Sequence, residues 1–134
     1  MTSPSADRLE LRGEQDVVHA RQAVRRLTQE LGFGIVDQTK MITAASELAR
    51  NAVVYGLGGV MHWEILHDVG RRGLRLRFVD QGPGIPDLER AMTDGWTSGS
   101  GLGLGLSGAR RLVNEFAIDT VPGQGTQVSI TRWK

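Results

Sequence analysis

Apolar residues recur along this chain with two different periods, and the places where the period changes mark the elements. Leu9 and Leu11 alternate with Arg8, Glu10 and Arg12, the pattern of a short strand with one buried face. From Glu14 to Leu31 the set Val17, Val18, Ala20, Val24, Leu27 and Leu31 follows helical spacing, with Arg and Glu on the other side. Gly32 and Gly34 stop that helix. Asp37 is the expected N-cap of a second helix, running to about Tyr55 with Met41, Ile42, Ala45, Leu48, Ala49, Ala52 and Val53 as its broad apolar face. After the break at Gly56–Gly59, Val60–Val69 and Leu74–Val79 read as a hairpin around a Gly70-Arg71-Arg72-Gly73 turn. In its second strand Leu74, Leu76 and Phe78 face one way and Arg75 and Arg77 the other. A helical turn is expected from Pro86, a glycine and serine loop over Gly95–Gly105 and a helix over Leu106–Phe116. Strands follow at Ile118–Val121 and Thr126–Trp133, joined by a Pro122-Gly123 turn. The order β-α-α-β-β-α-loop-α-β-β places helices between antiparallel hairpins, which predicts an α+β, two-layer sandwich with helices on one face of a sheet. Residues 1–8, which open with Ser, Pro and Thr, are expected to form a short disordered lead, and residues 9–134 a single domain.

Composition narrows what such a domain can do. With 134 residues the chain can bury a core without crosslinks. It has no cysteine, which excludes disulfides, iron–sulfur clusters and thiolate zinc sites. His19, His62 and His67 lack the spacing of metal ligands. Lys+Arg (16) and Asp+Glu (15) nearly cancel, leaving a formal net charge of +1. No basic stripe emerges of the kind that releases counterions from nucleic acid, so no nucleic-acid partner is expected. Nor does any apolar run reach the ~18 residues of a membrane span. The N-terminus lacks the basic start and apolar centre of a signal peptide, and the expected setting is cytoplasmic, with no membrane partner. The 18 glycines exceed ordinary usage of ~7% and are clustered, which points to loops with a specific task.

Four clusters carry candidate chemistry. Glu47 and Asn51, four residues apart, share one face of the second helix. A carboxylate there can take a proton from an attacking hydroxyl, and an amide oxygen is a hard ligand suited to Mg²⁺; an ordinary polar helix surface gives the same pair. Asp80-Gln81-Gly82-Pro83-Gly84-Ile85-Pro86-Asp87 begins where a strand runs out. Its aspartate can accept a hydrogen bond from an exocyclic amine such as that of adenine while glycine backbone passes close to a flat ring. The alternative is a proline-stiffened turn. Gly99 to Gly108 places glycines at alternate positions before a helix, where converging N–H groups and the helix dipole can cradle phosphate. It is neither a P-loop nor a dinucleotide fingerprint; the alternative is a mobile linker, against which the regular spacing of Leu102, Leu104 and Leu106 counts. Gly123-Gln124-Gly125-Thr126 reads as a turn into the last strand.

In this order the four clusters resemble the N, G1, G2 and G3 boxes of the GHKL (Bergerat-fold) ATP-binding superfamily, carried here by ELARN, DQGPGIPD, GLGLGL and GQGT. The resemblance covers about Leu9 to Lys134 and implies a mixed, largely antiparallel sheet with helices on one face. It further implies ATP and Mg²⁺ as cofactors, Glu47 as catalytic base and Asn51 as Mg²⁺ ligand and ATP contact. Asp80 would bind the adenine amine, with Gly82, Gly84 and Ile85 beside the ring. Gly101, Leu102, Gly103, Leu104 and Gly105 would wrap the triphosphate as a lid, and Thr126 would support the adenine contact.

At 134 residues the chain is expected to lack the additional domains of the gyrase, chaperone and mismatch-repair branches, and no phosphoacceptor histidine on a dimerising helix is expected. Its segments HARQAVRRLTQELGFGIVDQTKMITAASELARN and GTQVSITRWK are similar to the switch serine/threonine kinases of the stressosome, the RsbT type, related to anti-sigma factor kinases. That resemblance implies STAS-domain antagonist and scaffold proteins as substrates. It also implies activation of a PP2C-type phosphatase through its N-terminal domain once the kinase is released. The competing expectation is an anti-sigma factor or ATP-responsive adaptor that binds a partner and phosphorylates little.

Overall fold

The computed structural model describes residues 7–84, 92 and 106–134. Residues 1–6 of the expected lead, the helical turn expected from Pro86 and the Gly95–Gly105 loop lie outside the described residues. The chain opens with strand β1 (Arg8–Leu11) and helix α1 (Glu14–Glu30). At the start of α1, the Asp16 carboxylate accepts the backbone N–H groups of Arg12 (2.8 Å) and Gly13 (3.1 Å). These two bonds satisfy donors before the first turn and hold the Asp16 carboxyl below the usual range. Gly32, at φ +81°, turns the chain out of α1.

Helix α2 spans Ile35–Val54, and its N-cap is Gly34 rather than Asp37. Gly34 has the extended backbone a cap requires, and its carbonyl accepts the N–H of Gln38 at 2.9 Å. Asp37 lies inside the first turn and is committed elsewhere: its Oδ1 accepts Arg132 Nη2 at 2.5 Å. Arg132 also donates from Nη1 to the Leu112 carbonyl (2.8 Å), so one largely buried guanidinium ties three segments together.

Strands β2 (Gly59–Asp68) and β3 (Arg71–Asp80) form the hairpin, but its turn is only Val69-Gly70. Both residues have positive φ, 40° and 82°. Two-residue turns of this hand match the twist of the flanking strands. Arg71, Arg72 and Gly73, expected in the turn, therefore belong to β3. Gly73 is required inside the strand, since a Cβ there would stand 2.7 Å from the Trp133 ring.

Helix α3 is short, Leu106–Arg111, and ends well before Phe116. Strand β4 begins at Glu115 and runs to Val121, opposite β5 (Gly125–Trp133). Pairing wins over helix propensity because Phe116 and Ile118 alternate with Ala117 and Asp119 and drop onto the core side of a ready edge.

The sheet order is β1-β2-β3-β5-β4, and every pairing among these strands is antiparallel, which narrows the expectation of a mixed sheet. Leu74, Leu76 and Phe78 of β3 and Val128 and Ile130 of β5 share one buried core with α2, whose buried face is Met41, Ala44, Ala45, Leu48, Ala49 and Ala52. Four alanines in that face let the helix lie close to the sheet, so residues at the end of α2 come within reach of the end of β3. The architecture is thus the expected α+β sandwich. No helix among the described residues is long and apolar enough to cross a membrane.

Candidate functional site

Asp80 is the last residue of β3, flanked in register by Gly59 on β2 and Thr126 on β5. Its side chain leaves the sheet half-buried between the end of α2 and the start of β5. Burial pushes the carboxyl above its usual range, while hydrogen bonds from the backbone N–H groups of Gly82 and Thr126 pull the other way. The Gly82 bond, to Oδ1, is 3.0 Å long.

The carboxylate borders a cavity of about 130 Å³. Leu48 and Ala52 of α2, Phe78 of β3, Leu106 of α3 and Val128 of β5 give this cavity apolar walls. Asn51, Tyr55, Asp80 and Thr126 contribute its polar groups. An apolar slot with one ionisable acceptor at its edge suits a flat heteroaromatic ring bearing an amine: the walls take the ring faces, and the carboxylate rewards the donor. The Thr126 side chain is fixed from behind, its hydroxyl 2.9 Å from that of Thr120.

Glycine makes this crowding possible. A Cβ on Gly56 would stand 2.4 Å from Asp80 Cγ, and one on Gly125, at φ +128°, would stand 2.2 Å from the Asp80 carbonyl oxygen. Gly82 in turn packs on Gly56, where a Cβ would lie 2.7 Å from its Cα. Three backbone segments thus converge on one aspartate with no room for side chains.

Asn51, Asp80, Gly84 and Thr126, read from three distant motifs, line this one cavity. Gly82 donates to Asp80 beside it. Glu47 lies one helical turn before Asn51 on α2, half-buried and outside the cavity lining. Ile85, Gly101, Leu102, Gly103, Leu104 and Gly105 lie outside the described residues. Sequence reasoning missed Tyr55, Gly56, Phe78 and Val128 as cavity residues. Gly56 reads as a helix breaker and Phe78 and Val128 as core; no local signal says that a breaker also makes space for an aspartate 24 positions later. Among the described residues no group of three or more His, Cys, Asp or Glu could cage a metal ion. The single amide oxygen of Asn51 fits instead a Mg²⁺ held by one or two protein ligands together with substrate phosphates.

Comparison with known proteins agrees with this geometry. Residues 36–134 match the family described as histidine kinase-, DNA gyrase B-, and HSP90-like ATPase. The serine/threonine-protein kinase RsbT of Bacillus subtilis (strain 168) is 47% identical over 120 residues, covering 90% of each chain. An anti-sigma F factor of Thermoanaerobacter sp. (strain X514) is 26% identical over 125 residues, 89% of this chain and 86% of the relative. Among solved structures, the RsbU and RsbW domains of a Mycobacterium tuberculosis protein superpose with a TM-score of 0.65 at 21% identity. That match covers 95% of this chain but a third of that polypeptide (33%), and it supports the fold. With four boxes in family order, an antiparallel sheet backed by helices and a carboxylate-edged slot at the end of β3, the chain belongs to the histidine kinase-, DNA gyrase B- and HSP90-like ATPase family, among its serine/threonine kinase and anti-sigma factor members.

Proposed function

We propose that this chain is an ATP-dependent serine/threonine-protein kinase of a bacterial partner-switching module. The observation that carries the reading is the joint lining of one apolar slot by Asp80, Asn51 and Thr126, in a chain 47% identical to a serine/threonine kinase over nine-tenths of its length. Asp80 accepts the adenine amine, the slot walls take the ring, and Gly82 and Gly84 let backbone approach its edge. Ile85 extends that contact, and the backbone N–H groups of Gly101 to Gly105 cover the phosphates.

Glu47 stands on the Asn51 face of α2, where it can take the proton of an incoming Ser or Thr hydroxyl as that oxygen bonds to the γ-phosphorus and the bond to ADP breaks. Asn51 would hold Mg²⁺ through its amide oxygen, and the ion when bound supplies neutralisation of phosphate charge. The chain has only two lysines, Lys40 and Lys134, so phosphate charge falls to the metal and to backbone N–H groups.

The substrates in this reading are STAS-domain antagonist and scaffold proteins, and the released kinase binds the N-terminal domain of a PP2C-type phosphatase, in a cytoplasmic setting. Calorimetry with ATP·Mg²⁺ on wild type and Asp80→Asn, then radiolabelled transfer to a STAS-domain antagonist, tests it. Binding lost in Asp80→Asn together with a labelled antagonist is the expected result. Absence of ATP binding by wild type would overturn it.

A second reading follows from the anti-sigma factor relatives: a binding adaptor with little kinase activity. Glu47→Ala separates the two. Loss of partner labelling with partner binding kept supports the kinase, whereas wild-type protein that binds the partner and never labels it supports the adaptor.

A further inference from the structure

One end of the sheet carries a row of residues in register: Gly59 on β2, Asp80 on β3, Thr126 on β5 and Thr120 on β4. Two positions along the strands, the row Phe78, Val128 and Ile118 belongs to the core or packs against it. Side chains two apart in a strand share a face, so the Asp80–Thr126–Thr120 row is also turned inward. Asp80 and Thr126 line the nucleotide slot, and Thr120 stands behind Thr126 without lining it.

Thr126 is held at two points. Its backbone N–H donates to the Asp80 carboxylate, and its buried hydroxyl lies 2.9 Å from that of Thr120. Thr120 Oγ1 also reaches the Gly125 carbonyl, at 3.3 Å. The shorter separation falls within the ordinary range of O–H···O bonds and the longer one beyond it, so of these two oxygens of β5 Thr126 Oγ1 is the better acceptor. A threonine hydroxyl carries one proton and two lone pairs. With one lone pair taken by Thr120, the proton of Thr126 is left for the slot.

We propose that Thr120 is a positioning residue that sets the polarity of the slot, by accepting no part of the Thr126 proton and directing it toward a ring nitrogen of the bound base. The row then offers an acceptor, Asp80, beside a donor, Thr126. Adenine presents the complement along one edge, its exocyclic amine beside an unprotonated ring nitrogen. Guanine and hypoxanthine present a carbonyl beside a ring N–H on the same edge and meet both groups with the wrong polarity, which a site built on buried hydrogen bonds rejects. The inference rests on the ATP reading above and adds to it the source of base selectivity.

Calorimetry on the full chain with ATP·Mg²⁺ and 1-deaza-ATP·Mg²⁺ tests it, since 1-deaza-ATP keeps the amine and has C–H in place of the ring nitrogen beside it. Thr120→Val, close in shape but without the hydroxyl, is expected to weaken ATP about fivefold and to leave 1-deaza-ATP unchanged. Thr120→Ser, which restores the hydroxyl, is expected to restore ATP affinity. Thr120→Val added to Thr126→Val is expected to cost nothing more, because Thr120 acts through Thr126. Equal weakening of both nucleotides, failure of serine to rescue, or a further loss in the double variant would assign Thr120 a merely structural role and overturn the proposal. ATP binding that depends on Asp80 but is indifferent to Thr120→Val would overturn it while leaving the ATP reading intact; wild type that binds neither nucleotide would overturn both. Thr120→Ala, compared in the same way, keeps the test open should the valine variant fold poorly.

Discussion

Asp80 is held under opposing influences, and their balance makes it measurable. Burial raises its pKa in the fold, against two backbone hydrogen bonds that lower it. Ionisation is therefore easier in the unfolded chain, where the value is about 4. The stability contributed by protonated Asp80 is complete below that value and is lost as pH rises through the higher folded value. Without nucleotide, Asp80→Asn is accordingly expected to be more stable than wild type at neutral pH, with the difference closing towards pH ~3. Urea unfolding of both at the two pH values checks this, and a wild type that is the more stable at neutral pH contradicts it. Gly56→Ala addresses the same site through space. Its Cβ would meet Asp80 Cγ at 2.4 Å, so the carboxylate must swing from its place. Overpacking of this kind costs about 1–3 kcal/mol, and ATP affinity measured by calorimetry is expected to fall more than tenfold, whereas Gly13→Ala, with open space around it, leaves affinity unchanged.

Among the elements, the β2–β3 hairpin contains a residue unsuited to its backbone. Val69 holds φ 40° with a β-branched side chain that is 98% exposed and so gains nothing from packing. Asparagine tolerates this region and is preferred before glycine in two-residue turns. Val69→Asn is expected to stabilise the fold by about 0.5–1 kcal/mol, seen as a raised thermal midpoint with ATP binding unaltered; a lowered midpoint would refute the turn assignment. The elements also show where the sequence was legible. The starts of α1 and β5 and the inward set Leu74, Leu76 and Phe78 followed from periodicity, because a single buried face fixes the phase of a helix or strand. The boundaries that moved, at Asp37, at Arg71–Gly73 and at Glu115–Phe116, did so through distant partners. Arg132 claims Asp37, Trp133 requires Gly73, and β5 offers an edge to β4. Nothing within a few residues of those positions announces them.

For the whole molecule, ligand binding and stability are linked. If ATP·Mg²⁺ binds only the folded chain, a concentration one hundred times Kd adds about 2.7 kcal/mol. The thermal midpoint should then rise by several degrees in wild type and stay fixed in Asp80→Asn; equal rises in both would remove Asp80 from the site. At this scale the division between sequence and tertiary structure is clear. The chain's own order of residues determined the helix and strand periods, the α+β class, and the motifs around Asn51, Asp80 and Thr126, since each depends on neighbours within a turn or a strand. Only the tertiary structure decided that these three line one slot with Phe78 and Val128, and that Gly56 and Gly125 make room for Asp80. Those are contacts between residues far apart in the chain, fixed by the pairing of strands distant in sequence and by the close approach of an alanine-rich helix.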